Sequence, residues 1–434
     1  MTQITIIGGG LAGCEAAFQI LKRGGSVRLI DMKPGRKSPA HESDGLAELV
    51  CSNSLRSDDP TSAVGLLKRE MAALDSLFIE AARATAVPAG RALAVNRDDF
   101  SQYITERIKN HPQVEVIEQE VLEIPPATDT PVILATGPLT SEPLAESLAA
   151  FTGRDRLAFY DAIAPIVYKD SLNFDIIYSK SRWEDGPGDY LNCPMNKEEY
   201  LRFITELANA DYVPLKDFEK AKYFEGCLPV EVIRSRGDDT LRFGPMKPVG
   251  LDKPDGSSAY AVVQLRKETK EEATYNMVGF QTKLTYPEQK RVFRLIPGME
   301  NVEFARLGSI HRNTFIVAPE LLRPTLQFQQ RADLLLAGQL SGVEGYVESA
   351  AMGLLAGINA ARLAAGITPT VPPQHTAFGA LIHHLTESEA KHFQPSNVNF
   401  GLFPDWEKKI YKKSRGEERA RLSAAAMEEW LAAM

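Results

Sequence analysis

The chain has 434 residues, about three times the roughly 150 that serve one domain, so one large or two to three modest domains are expected. With 44% hydrophobic and 24% charged residues it can bury a sizeable core, which excludes a disordered chain or a mini-protein held by staples. Its 49 Lys and Arg against 57 Asp and Glu give a formal charge of −8, arguing against a coat for nucleic acid while leaving room for a local basic site.

Met1 to Ile7 runs straight into glycines with no basic segment or cleavage site, and reads as a strand rather than a signal peptide. No stretch approaches the roughly 20 apolar residues of a membrane span, so a soluble cytoplasmic protein is expected. Four cysteines, Cys14, Cys51, Cys193 and Cys227, form no Cys-x-x-Cys pair, which favours a reducing compartment without structural zinc. His383, His384 and His392 lack a cysteine or carboxylate framework, so no metal site is expected.

Ile4–Ile7 predicts a strand, Gly8–Gly13 a turn, Cys14–Arg23 a helix and Val27–Ile30 a second strand ending at Asp31. This is a β-α-β unit of about 30 residues. Leu66 to Phe78 suggests a helix, Ala84–Ala94 a loop, Phe100–Lys109 a helix, and Val114–Ile117 and Val132–Ala135 strands. From about residue 140 to 320, aromatics, prolines and short alternating strands such as Ala259–Leu265 replace that rhythm. The α/β pattern returns at Leu334–Gly338, followed by a helix over Ser349–Leu363. The expected fold is a Rossmann-like α/β cofactor domain, residues 1–140 and 321–434, interrupted by a mixed α+β insertion over 141–320. The tail from Asp405 is helical in composition, and its Lys and Arg, interleaved with Glu, read as a solvated face.

Gly8-x-Gly10-x-x-Gly13 follows a strand and opens a helix, the context that makes this pattern specific. The first glycine permits the turn, the second lets backbone approach a pyrophosphate, and the third lets helix and strand pack, with Leu11 and Ala12 at the helix N-terminus. Asp31, about 20 residues on, is placed to accept from a ribose hydroxyl. A second strand-turn, Ala337-Gly338-Gln339, together with Ala135-Thr136-Gly137, favours FAD over NAD and resembles the two-dinucleotide-binding-domain flavoproteins. Gln339 stands where an Asp is usual, and no second Gly-x-Gly-x-x-Gly marks a nicotinamide domain.

The segment Ile7–Ala17, Met32-Lys33-Pro34, Ala40-His41, Leu49–Ser54, Pro88-Ala89-Gly90, Cys227–Glu231 and Gly338–Tyr346 together resemble the folate- and FAD-dependent tRNA (uracil-54-C5-)methyltransferase family over essentially the whole chain. Its larger relative, a wobble-uridine-modifying flavoprotein, carries an extra C-terminal helical domain for which 434 residues leave little room. The resemblance implies methylenetetrahydrofolate as carbon donor, NAD(P)H as reductant, FAD as carrier and the T-arm of tRNA as acceptor. It implies Cys227 as the nucleophile at uracil C6, and Cys51 as the base or the thiol guarding the flavin adduct. Either thiol should then have its pKa lowered by a nearby cation or helix N-terminus; Lys222, Arg234 and Arg236 neighbour Cys227 in sequence. Gly342 and Tyr346 belong to the late glycine turn, where the aromatic ring either stacks on a flavin or pterin or packs in the core. His311 and Arg312 could meet folate or RNA phosphate, or lie in a surface loop. Two rivals stay open: the same chemistry on a ribosomal RNA uracil, and a small-molecule flavin oxidoreductase.

Overall fold

Strand β1 (Gln3–Ile7) turns Ile4, Ile6 and Ile7 into the core, where β-branched side chains suit a buried pleated strand. The computed structural model describes residues 2–153, 157–184, 186–214, 228–406 and 410–434. In it β1 lies inside a six-stranded sheet with β2 (Ser26–Asp31), β3 (Val114–Glu118) and β4 (Val132–Leu134). A ribbon of β5 (Leu157–Ile163) and β6 (Ser309–Phe315) follows, and β7 (Gln327–Phe328) and β8 (Arg331–Leu336) complete the sheet. The order is β7-β8-β4-β1-β2-β3, parallel except for the β7–β8 pair. Chain from both ends of the sequence thus builds one sheet, the Rossmann-like architecture expected.

Helix α1 (Leu11–Lys22) begins at the glycine turn, and a long helix near the other end of the sequence crosses it. A Cβ on Gly353 of that helix would stand 2.2 Å from the Ala12 carbonyl oxygen, and one on Gly357 2.5 Å from that of Ala16. Only glycine lets the two backbones approach so closely, bringing both helix N-termini to the same edge of the sheet.

The predicted helix over Leu66–Phe78 is two helices, α2 (Ala63–Ala73) and α3 (Leu77–Ala84), divided at Asp75, whose φ is +54°, and restarted by Ser76, which caps the Ile79 N–H. The stretch expected as a loop, Ala84–Ala94, instead contains strands Ala86–Val87 and Ala92–Val95, which pair with each other, and the latter also with Ser54–Ser57. Pro88 and Gly90 mark the turn between them, a hairpin too short to display periodicity. Helix α4 (Glu142–Thr152), which the sequence assigns to the insertion, packs Leu144 and Leu148 into the same core as β1.

Beyond the ribbon, strands Ile166–Tyr168, Tyr178–Ser179, Tyr190–Met195, Ala261–Lys267, Thr274–Met277 and Phe304–Arg306 form an antiparallel sheet over a second core that includes Tyr200, Phe203, Phe280 and Phe293. No helix among the described residues is long and apolar enough to cross a membrane.

The C-terminal helix, Arg415–Ala433, is held by a buried carboxylate: Glu70 of α2 accepts from the Ser423 hydroxyl at 2.6 Å and from the Ala377 and Phe378 N–H groups at 2.7 and 3.0 Å. Burial outweighs these bonds and raises the Glu70 pKa to about 7. A carboxyl whose pKa rises on folding contributes stability below its unfolded pKa and loses it as pH climbs through the folded value. From 4.5 to about 7 the difference corresponds to about 3 kcal/mol. Glu70→Gln is therefore expected to flatten the decline of unfolding free energy between pH 5 and 8, and an undiminished decline in denaturant titrations would contradict this.

Candidate active site

The glycine turn has the shape its spacing implies. Gly8 has φ +109° and lies so close to β4 that a Cβ would stand 2.4 Å from the Ala135 carbonyl oxygen, while a Cβ on Gly13 would stand 1.8 Å from the Gly8 carbonyl oxygen. A Cβ on Gly10 would meet nothing within 4 Å. Two of these glycines hold chain against chain, and the third faces open space beside the uncapped N-terminus of α1. That space is a cavity of about 850 Å³, its open mouth included, lined among others by Gly8, Gly10, Leu11, Ala12, Asp31, Gly137 and Gly338. Asp31 already accepts from the Gly9 N–H at 2.5 Å and the Lys33 N–H at 2.8 Å, fixing its carboxylate at the cavity edge.

A second cavity of similar size shares Val50, Pro138, Leu139, Gln339 and Tyr346 with the first. Cys51, Arg56, Asp161, His311, Asn313 and Glu344 also line it. The Tyr346 hydroxyl accepts from the N–H groups of Cys51 at 2.6 Å and Ser52 at 3.2 Å, so the start of the late helix, Tyr346–Ala364, fixes the cysteine loop. From the other side Arg266 donates to Ser52 Oγ at 2.8 Å and Asn53 Oδ1 at 2.9 Å, and Asn53 donates to the Lys267 carbonyl at 2.9 Å. Arg97 donates to the Leu49 carbonyl at 3.1 Å and forms a two-pronged pair with Glu268 at 2.7 and 3.1 Å. Tyr346→Phe would leave two N–H groups unpaired, at a cost of about 1–3 kcal/mol, so the variant should unfold at lower denaturant concentration; an unchanged midpoint would mean that water or another acceptor serves them.

Three comparisons bear on this arrangement. Residues 3–368 match the family described as Glucose inhibited division protein A. Over 431 residues the chain is 69% identical to the methylenetetrahydrofolate–tRNA-(uracil-5-)-methyltransferase TrmFO of Desulfotalea psychrophila, covering 99% of this chain and 97% of that protein. It is 57% identical to the protein of the same name from Geobacter sulfurreducens, with 99% of each covered. The chain belongs to this methyltransferase family. The fold of Aquifex aeolicus GidA, 18% identical, superposes with a TM-score of 0.71 over 99% of this chain and 77% of that one.

Within the family frame, several expected site residues stand elsewhere. Gly342 lines neither cavity; with φ +102° it lies against Phe393, whose ring a Cβ would meet at 2.4 Å. Gln339 does line both cavities, with its amide donating to Glu344 at 2.5 Å. Arg234 is ion-paired with Asp238 at 3.1 Å on the short helix Val230–Ser235 and lines neither cavity. Arg312 follows His311 on β6 and, by the alternation of a strand, faces away from the cavity that His311 lines. His311 bonds Ser309 Oγ at 2.8 Å, and burial, reinforced by Arg306 and His41, lowers its pKa. Cys227 and Lys222 lie outside the described residues.

Cys51 departs most from expectation. Burial first, then the Asp161 charge, push its thiol up to about 12, with Arg97 pulling the other way. Sequence reasoning missed Asp161, Arg97, Arg266 and Glu268. The signal for two of them was present: Gln264 and Arg266 alternate along the strand Ala261–Lys267 and Glu268 follows it in the same period, a pattern that by default reads as a solvent face. They are buried, and Arg266 and Glu268 pair with the cysteine loop and with Arg97. Among the described residues, no group of three or more His, Cys, Asp and Glu is arranged to hold a metal ion.

Proposed function

We propose that this chain transfers the one-carbon unit of methylenetetrahydrofolate to C5 of the T-loop uracil of tRNA and reduces it to methyl, with FAD bound and NAD(P)H as reductant, in the cytoplasm. Its whole-length identity to methyltransferases of that name carries the reading. The residues present fit the cofactor: Gly10 leaves open the space that a pyrophosphate needs, and the α1 N-terminus offers unpaired N–H groups to an anion. Asp31 would accept from the ribose, and Gly8, Leu11, Ala12, Gly137 and Gly338 would line the dinucleotide. FAD, when bound, supplies carriage of the carbon and the hydride.

The chain supplies the rest. Uracil C5 is a weak nucleophile, and addition of the Cys227 thiolate at C6 would make it enolate-like. A base then removes the C5 proton, and loss of the thiolate after reduction restores the ring. Cys51 lines the second cavity, a position that supports its role as the base or as the thiol guarding the flavin adduct. Tyr346 lines both cavities, which supports a role for its ring between cofactor and acceptor.

Label transfer tests this reading: carbon-labelled methylenetetrahydrofolate, FAD, NAD(P)H and an unmodified tRNA transcript, without S-adenosylmethionine. Label at the T-loop uracil is expected. Label only in ribosomal RNA would move the substrate, and NAD(P)H oxidation without label in any RNA would leave a small-molecule flavin oxidoreductase.

A further inference from the structure

The basic stretch near the C-terminus, expected as a solvated face, differs from the other charged surface of the chain. Tyr411 is 85% exposed, and Lys412, Lys413 and Arg415 beside it are exposed as well. Among the described residues none of these three cations has an ion pair, whereas the exposed Arg36, Arg83 and Arg421 each have one. The acids of the adjoining segments are already engaged. Asp58 pairs with Arg83, Asp59 accepts from the Thr61 N–H at 2.8 Å, and Glu418 pairs with Arg421 at 2.6 Å, which leaves Glu417 in the first turn of the C-terminal helix. Three like charges within four residues repel one another, and in a chain of net charge −8 they form a local positive patch.

The patch is carried on a fixed support. A Cβ on Gly416 would stand 2.4 Å from the Thr61 carbonyl oxygen, so the start of helix Arg415–Ala433 rests on the chain that leaves the second cavity at Arg56. Farther along the helix, Ser423 is held by Glu70, the Arg419 guanidinium lies 3.8 Å from the centre of the Trp406 ring, and Trp430 Nε1 donates to Thr370 Oγ1 at 2.6 Å. From Arg56 to Thr61 is at most about 18 Å of chain. The cations therefore stand within reach of the backbone of an RNA whose target uracil occupies that cavity. We infer that Lys412, Lys413 and Arg415 grip the phosphate backbone of the tRNA arm that carries the target uracil, and that the Tyr411 ring stacks on one of its bases. The inference rests on the methyltransferase reading and names the part of its site that holds the polymer.

Salt-dependent binding tests this. The flavin-loaded enzyme is titrated with an unmodified tRNA transcript, and with a hairpin reproducing the T-arm alone, over a range of salt concentrations, and label transfer is followed in parallel. Lys412→Gln, Lys413→Gln and Arg415→Gln together are expected to weaken binding to both RNAs by at least about 10-fold at low salt, and to reduce the slope of log affinity against log salt by about 2 to 3, because the lost phosphate contacts no longer release counterions. The KM for tRNA should rise while kcat and the flavin spectrum stay as in wild type and the unfolding midpoint is not lowered, a split that a merely structural role would not produce. Tyr411→Ala is expected to weaken binding at least about fivefold with the slope unchanged, since stacking releases no counterions. Wild-type affinity and slope in the triple variant would overturn the grip, as would a deficit confined to whole tRNA and absent from the hairpin, or a lowered kcat at saturating tRNA. Wild-type affinity in Tyr411→Ala would overturn the stacking. A wild-type enzyme that transfers label to no RNA would instead refute the methyltransferase reading itself.

Discussion

Gly13→Ala should yield a protein without bound flavin. Its added methyl would sit 1.8 Å from the Gly8 carbonyl oxygen, and neither side can yield. Gly8 is itself pressed against Ala135, and α1 is pinned from behind by the late helix, whose Gly353 and Gly357 already touch the α1 backbone. Overpacking of this kind costs about 1–3 kcal/mol in stability. The larger effect is on the cofactor, because relief requires the turn or the helix N-terminus to shift, and both line the cavity. A drop of at least about 100-fold in FAD affinity, roughly 2.7 kcal/mol, is expected, read as loss of the absorption band near the visible flavin maximum in purified protein and in titrations with added FAD. Gly10→Ala is the informative partner. Its methyl meets no protein atom, so the flavin-free protein should retain its unfolding midpoint while FAD affinity falls, because the methyl occupies the ligand's space. Full flavin content in Gly13→Ala, or an unfolding midpoint lowered in Gly10→Ala, would separate the cavity from the cofactor.

Cys227→Ala should abolish methyl transfer and leave the flavin spectrum as it is. Without thiolate addition at C6 there is no nucleophilic C5, so every later step is lost together; removal of a covalent nucleophile typically costs about 10⁴-fold or more. Single-turnover transfer of labelled carbon to tRNA is the measurement, and the covalent complex that a C6 nucleophile forms with a tRNA carrying 5-fluorouracil, which has no C5 proton to lose, should vanish in parallel. Retained transfer would remove Cys227 from the nucleophile's role and direct attention to Cys51. The remaining cysteines are poor substitutes: Cys14 donates to the Gly9 carbonyl at 3.3 Å from within α1, and Cys193 is buried in the insertion core.

The dinucleotide fold was legible because its determinants are local. A strand, three spaced glycines and a terminal acid lie within about 30 residues, and each restricts backbone geometry by itself. The short hairpin through Pro88 and Gly90 was hidden, since its strands are stabilised by pairing with Ser54–Ser57, a contact no local pattern displays. The site divides the same way. Cys51 and Tyr346 were visible in their motifs, but the hydrogen bond joining them spans 295 positions. Asp161 sits in an unremarkable strand sequence and acquires its meaning from the segment opposite, where it pairs in register with His311. The Cys51 pKa ran against expectation for a related reason: a motif names a thiol, while burial and the charges across the cavity set its protonation.

The ribbon of β5 and β6 carries a further consequence. Asp161, His311 and Asn313 all belong to these two strands, while Cys51, Glu344 and Tyr346 belong to the sheet-bearing body beside them. The cavity wall is therefore a seam between the ribbon and the sheet-bearing body, so a shift of the ribbon alone would reshape the cavity while the glycine turn stayed as it is.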